Sequence, residues 1–268
     1  MILDGKKVAR TNNDNIKSKI ENKLLYSKSD PGLGVIIIGE REDSKVYVNM
    51  KKKTCKYVGI LTKSITLDEN VTTENVIGAV NIFNNDKTIH GILIQLPLPK
   101  HINENKVLTA VNIDKDVDGF HATNMGNLAL DGREPLFTPC TPLGCLKLID
   151  HYDIELEGKH AVVIGKSNIV GLPISLLLMK RNATVTVCHI YTKNLKEICK
   201  NADILVSACG QAEMIKKDWL KEGVVIIDIG INHKDDPENP EKRKIVRDVD
   251  FNDCKDIASF ITPVPGGV

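Results

Sequence analysis

Short aliphatic runs, separated by helix-length polar segments, constrain this chain more than any other feature. Residues 34–39 (GVIIIG), 62–67, 91–96 (GILIQL), 161–165 (AVVIG), 184–188 (TVTVC), 203–208 (DILVSA) and 224–230 (VVIIDIG) each have the length of a strand. Most are apolar at successive positions, so both faces of each strand must be covered. The intervening segments 44–58, 72–83, 169–181 and 195–200 read as the covering helices. Asp43 or Ser44 stands where the first of these needs an N-cap. The pattern predicts an α/β fold with parallel sheets.

A length of 268 residues exceeds one typical domain, so two units are expected. Between residues 114 and 142 the texture changes to turn chemistry, with Asp-Lys-Asp-Val-Asp-Gly, Asp131-Gly132 and Thr-Pro-Cys-Thr-Pro. Loops that long in a compact domain are usually functional. Helix-like residues 143–151 then lead into a second half whose strands and helices follow a βαβαβ order, the pattern of a mononucleotide-binding half-fold. The charged run 233–244 reads as a solvated loop.

Charge excludes one class of function. With 36 basic and 35 acidic side chains the net charge is +1, and no basic excess marks a nucleic-acid binder. No run approaches the ~20 apolar residues of a membrane span, and residues 1–10 have no signal-peptide architecture. Seven cysteines form no CxxC pair, which points to reduced thiols in the cytoplasm rather than zinc or disulfide frameworks, and no metal is expected. Cys140 and Cys145 flank a turn and read first as small buried hydrophobes.

In a half-fold of this kind phosphates meet a helix N-terminus beyond the first strand. Here that strand ends at Gly165, followed by Lys166-Ser167-Asn168-Ile169-Val170-Gly171, which is not the GxGxxG fingerprint. An NAD site usually carries Asp or Glu after the second strand to accept from the ribose. Residues 188–193, Cys-His-Ile-Tyr-Thr-Lys, hold none. Lys166 and Lys193 can face a 2′-phosphate instead, favouring NADP, with NAD possible.

In the first half, Ser44, Tyr47 and Lys51 share one helix face. Tyr47 offers a flat ring and Lys51 an ammonium, although Lys51-Lys52-Lys53 also fits a solvated charge run. Gln95 interrupts an apolar strand, and a buried amide needs a partner, whether local backbone or a ligand. Asp118 fits either an ordinary turn or a ligand carboxylate.

Read together, SKVYVNMK (44–51), GILIQLPLP (91–99), DKDVDGFH (114–121), PCTPLGC (139–145), GKSNIVGLP (165–173) and ITPVPGGV (261–268) resemble the bifunctional methylenetetrahydrofolate dehydrogenase/methenyltetrahydrofolate cyclohydrolase family. The motifs are in order and span nearly the whole chain. The resemblance implies a tetrahydrofolate-binding catalytic domain (1–141), an NAD(P)-binding Rossmann domain (142–268), a cleft between them and a homodimer. It implies that Tyr47 stacks on the folate, Lys51 is the catalytic lysine, Gln95 its hydrogen-bonding neighbour and Asp118 the acceptor for the pterin N–H edge. Ile94, Gln95, Leu96 and Val264, Pro265, Gly266, Gly267, Val268 would line the substrate site. Gly165, Lys166 and Ser167 would take the cofactor phosphates, with Ile190 and Ile231 flanking it.

The implied activity is NADP-linked oxidation of 5,10-methylenetetrahydrofolate and hydrolysis of the methenyl product to 10-formyltetrahydrofolate. Two alternatives stand beside it: a monofunctional NAD-dependent dehydrogenase, and an inactive folate-binding homologue. Lys166 stands where the family commonly has Arg, and Ile190 where many members have Ser. Members also continue past the VPGGV motif through a Gly-Pro-Met-Thr-like segment into a helix that packs back on the first domain.

Overall fold

The computed structural model describes residues 1–24, 29–236 and 239–267. The chain forms two compact units, residues 10–140 and residues 1–9 with 141–268. Its first elements are α1 (Gly5–Leu24), β1 (Gly32–Ile38), α2 (Glu42–Val58), β2 (Leu61–Leu67), α3 (Thr73–Asn85), β3 (Gly91–Ile94), α4 (Glu104–Thr109) and α5 (Ala122–Ala129).

In unit 10–140 the strands form a parallel sheet in the order β2-β1-β3. Alternation along β1 sends Ile36 and Ile38 to one face, against Val76, Ala79, Val80 and Phe83 of α3. Val35 and Ile37 go to the other, against Val48 of α2 and Leu93. The α3 residues lie three or four apart, the stripe that a helix presents to a sheet. Thr72 starts that helix by accepting the Asn75 N–H at 3.2 Å. Each such aliphatic side chain contributes roughly 1.5–3 kcal/mol on burial.

The second unit carries α6 (Cys140–His151), β4 (His160–Ile164), α7 (Gly171–Lys180), β5 (Thr184–Cys188), α8 (Leu195–Cys199), β6 (Ile204–Ser207), β7 (Val225–Asp228), β8 (Asn232–Asp236), β9 (Asn239–Val246), α9 (Phe251–Cys254) and β10 (Phe260–Ile261). Five strands pair in parallel in the order β10-β7-β6-β4-β5. Sequence order reverses at β4, between β5 and β6, the switch point where α/β sheets bind ligands. Cys188, Cys199 and Cys254 are fully buried in this core, and burial pushes Cys199 and Cys254 up to about 12. Residues 1–9 belong here because Leu3 is fully buried and its N–H bonds the Ile261 carbonyl at 2.9 Å.

Several local expectations need correction. Residues 232–236 and 239–246 pair as the antiparallel strands β8 and β9, not a solvated loop, and residues 237–238 of the expected loop lie outside the described residues. Pairing is a backbone property, and a charged composition does not forbid it. The segment expected as loop contains α5, opened by the His121 Nδ1, which accepts the Thr123 N–H at 3.2 Å. Helix α2 starts at Glu42, ahead of both proposed caps. β3 ends at Ile94, so Gln95 is the first residue past the strand, although its N–H still bonds Ile36 O at 2.9 Å.

One tertiary contact docks the turn that follows α4 on helix α3. Lys115 Nζ donates to the carbonyls of Phe83 (2.9 Å), Asn84 (2.9 Å) and Asp86 (3.0 Å), at the C-terminus of α3. A cation there satisfies orphan carbonyls and meets the negative end of the helix dipole. Lys115→Met is expected to cost about 1.5–3 kcal/mol, read as a lower urea midpoint; an unchanged midpoint contradicts this anchoring.

Candidate active site

Lys51 lies on α2, half-buried, while Lys53 of the same charge run is exposed. Its Nζ donates to Gln95 Oε1 at 3.3 Å, and Gln95 Nε2 donates in turn to the Leu96 carbonyl at 2.8 Å. The amide is therefore oriented by the chain just past β3 and presents its oxygen to the ammonium. Gln95 thus satisfies local backbone with one end, as one of the two sequence readings had it, and Lys51 with the other.

The motif from Asp114 to Gly119 divides its labour residue by residue. Lys115 docks the motif on α3. Asp116, 4% exposed, folds the turn by accepting Phe120 N–H (3.2 Å), His121 N–H (2.8 Å) and Asn124 Nδ2 (2.8 Å). Asn124, fully buried, extends the network by accepting Leu136 N–H (2.9 Å) and Phe137 N–H (3.3 Å). Asp118 is left over. Among the described residues no hydrogen bond reaches its carboxylate. Desolvation pushes it up to about 6, with the Lys51 charge pulling it down and Asp116 pushing it up. The Cys140 thiol lies close by, donating to Val117 O at 3.4 Å. Burial and the Asp118 charge push it up to about 11, which makes it a poor nucleophile.

In the other unit a cavity of about 540 Å³ opens at the switch point. It is lined by Gly165, Lys166 and Ser167 after β4, His189 to Thr192 after β5, and Ala208, Cys209 and Gln211 after β6. Gly165 has φ +116°, and a Cβ there would lie 2.3 Å from the Ala208 carbonyl oxygen, so only glycine lets the two loops approach. Ser167 Oγ accepts the Val170 N–H at 3.2 Å at the start of α7. A close backbone approach, a helix N-terminus and a lysine are what binding a dinucleotide's phosphates requires.

Residues 3–118 match the family described as tetrahydrofolate dehydrogenase/cyclohydrolase, catalytic domain, and residues 139–268 its NAD(P)-binding domain. The chain belongs to the tetrahydrofolate dehydrogenase/cyclohydrolase family. It is 50% identical to bifunctional protein FolD 2 of Arabidopsis thaliana over 267 residues, covering all of this chain and 89% of that protein. Identity to bifunctional protein FolD of Listeria innocua is 47%, covering 100% of this chain and 91% of the relative. Among solved structures, a bifunctional FolD from Campylobacter jejuni superposes with TM-score 0.92 at 42% identity, covering 100% of this chain and 92% of that one. The Trypanosoma brucei enzyme, crystallised with NADP and an inhibitor, gives TM-score 0.95 at 36% identity, covering 100% and 91%.

Other residues that the family resemblance singles out have mixed placements. Tyr47 is 41% exposed, one turn before Lys51. Ile94 is buried in the sheet core and can offer only backbone, whereas Leu96 is partly buried beside it. Ile190 lines the 540 Å³ cavity and is 88% exposed; Ile231 is exposed outside that lining. Val264 and Pro265 line a separate cavity of about 520 Å³ in the same unit, and Gly266 O accepts the Gly5 N–H at 2.9 Å. Gly267 packs against Gly5; Val268 lies outside the described residues. Sequence reasoning missed Asp116, Asn124 and Asp248, whose roles rest on hydrogen bonds to partners 4 to 8, 8 to 13 and 16 to 41 residues away that no motif announces.

The raised Asp118 carboxyl has a consequence for stability. Its ordinary value is 3.8, so folding disfavours its charge; its stabilising share is complete below pH 3.8 and lost as pH rises through about 6. Asp118→Asn is therefore expected to raise stability at pH 8 by on the order of 1–3 kcal/mol, the gain vanishing toward pH 4. Denaturant unfolding at both pH values checks the sign, and a loss at pH 8 refutes it.

Proposed function

We propose that this chain oxidises 5,10-methylenetetrahydrofolate with NADP and hydrolyses the resulting 5,10-methenyltetrahydrofolate to 10-formyltetrahydrofolate. The observation that carries the reading is the Lys51–Gln95 pair beside a desolvated, unpaired Asp118, in a chain whose two halves match both domains of the family.

Asp118 suits the pterin edge. A carboxylate that no protein donor satisfies is an acceptor in waiting, and at pH above about 6 it is ionised and able to take two N–H groups. The exposed ring of Tyr47, one helical turn before Lys51, offers a stacking face. When bound, the nicotinamide cofactor supplies the hydride acceptor, and the protein's contribution to that step is position rather than acid–base chemistry. Gly165, Lys166 and Ser167 would hold its phosphates.

Hydrolysis makes different demands. Water adds to the bridge carbon and loses one proton to solvent; its second proton leaves as the carbon–nitrogen bond to the ring breaks and that nitrogen gains one. Lys51 is the group for this relay: its ammonium gives a proton to the departing nitrogen and the amine so left takes the second proton of the added water, while Gln95 Oε1 fixes the direction of its Nζ.

The residues after β5 favour NADP over NAD. No carboxylate stands there to accept from a ribose hydroxyl, and Lys166 lines the same cavity as Ile190. The seven free thiols support a reducing, cytoplasmic setting, and no helix among the described residues is long and apolar enough to cross a membrane. A homodimer belongs to the same reading; edge strand β5, with Val187 41% exposed, is available for pairing.

Methenyl absorbance and its decay, followed with methylenetetrahydrofolate and NADP⁺ or NAD⁺, test the reading. Lys51→Met is expected to lower cyclohydrolase turnover by about 10²-fold or more while keeping measurable hydride transfer. Full cyclohydrolase turnover in that variant would remove Lys51 from the relay. Lys166→Ala is expected to raise KM for NADP⁺ more than KM for NAD⁺, and an equal rise for both would contradict 2′-phosphate contact.

A further inference from the structure

The loop after β6 supplies one wall of the 540 Å³ cavity through Ala208, Cys209 and Gln211. Nothing in its own sequence, Ala-Cys-Gly-Gln, fixes its conformation. The fixing group comes from the far side of the β8–β9 pair. Asp248, fully buried, accepts at Oδ2 from Ser207 Oγ (3.0 Å), Cys209 N–H (2.8 Å) and Gly210 N–H (3.2 Å). At Oδ1 it accepts from Gln211 N–H (2.9 Å) and from Asn232 Nδ2 (2.8 Å). The Cys209 thiol also donates to Oδ2, at 3.3 Å.

Three successive backbone N–H groups converging on one point form a nest, a concavity that binds anions. Here the protein's own carboxylate fills it. The fit is tight: a Cβ on Gly230 would lie 2.3 Å from the Asp248 carboxyl carbon and oxygen. The wall so fixed bears directly on the phosphate cradle, because Gly165 packs against the Ala208 carbonyl and Ala208 N–H bonds Ile164 O at 2.8 Å. A shift of residues 208–211 would therefore close or open the clearance at Gly165.

We propose that Asp248 is a positioning residue for the nicotinamide dinucleotide: by occupying the nest at residues 209–211 it holds one wall of the cofactor cavity and leaves the Gly165–Ser167 loop as the phosphate seat. This rests on the reading of that cavity as the cofactor site. Asparagine at 248 has the same shape but presents one oxygen and one NH₂. The Asn232 amide can flip and the Ser207 hydroxyl can rotate, yet backbone N–H groups cannot. Whichever way the new amide turns, its NH₂ faces Gln211 N–H on one side or Cys209 and Gly210 N–H on the other.

The test uses the full chain as wild type, Asp248→Asn and Ser207→Ala. NADP⁺ affinity is measured by calorimetry without folate, KM for NADP⁺ and kcat by hydride transfer, and cyclohydrolase turnover on methenyltetrahydrofolate. Asp248→Asn is expected to weaken NADP⁺ binding and raise its KM by roughly tenfold or more, with Ser207→Ala moving both the same way by about two- to fivefold. Cyclohydrolase turnover and KM for folate stay within about twofold in both, since neither residue belongs to the Lys51 unit. Asp248→Asn with intact cyclohydrolase and wild-type NADP⁺ affinity overturns the proposal, as does an equal loss of both activities. If Asp248→Asn does not fold, unchanged affinity in Ser207→Ala overturns it. Wild type that turns over methenyltetrahydrofolate but binds neither NADP⁺ nor NAD⁺ instead overturns the reading of the cavity, and the proposal with it.

Discussion

A carboxylate removed from water must be repaid in hydrogen bonds or held at a cost, and the contrast between those two outcomes organises this molecule. Asp116 and Asp248 are satisfied: each gathers backbone N–H groups from a loop at the carboxyl ends of a parallel sheet and gives that loop one shape. Asp118 is not satisfied. It is carried by the loop that Asp116 folds and that Lys115 ties to α3, and its charge is relieved mainly by Lys51. The satisfied groups build; the unsatisfied one is free to meet a ligand.

This division follows from the α/β architecture. Parallel strands buried on both faces leave their functional groups to the loops beyond their ends, and loops have little hydrophobic burial with which to define themselves. Internal polar anchors make up the deficit. The same logic recurs in both units, although their chemistry differs: one presents an ammonium and a carboxylate, the other a glycine-gated backbone cradle.

What was legible in the sequence tracks the kind of signal each feature emits. The sheet strands other than the two-residue β10, and most of their covering helices, are periodic or apolar, so they could be placed to within a few residues. Gln95 stood out as an amide in an apolar strand, whereas Lys51 and Asp118 each fitted an ordinary reading and were singled out by the family resemblance; the structure brings Lys51 to Gln95 and sets its charge against Asp118. Helix α1 emitted almost nothing, being rich in Lys and Asn with few apolar positions. Helix α5 hid in turn-like composition, and the β8–β9 pair in a run of charges, because ladders are made by backbone. Asp248 drew no reading from the sequence; its five N–H and O–H donors come from residues 16 to 41 positions away, which local pattern cannot reveal.

The central claim is that Asp118 is a desolvated carboxylate whose charge is stabilised by Lys51 rather than by hydrogen bonds. Carbon-detected NMR titration of the Asp118 carboxyl, in the wild type and in Lys51→Met, measures this directly. The account predicts a midpoint near 6 in the wild type and a higher one once the ammonium is gone. A midpoint in the ordinary carboxylate range that does not move with Lys51 would contradict it.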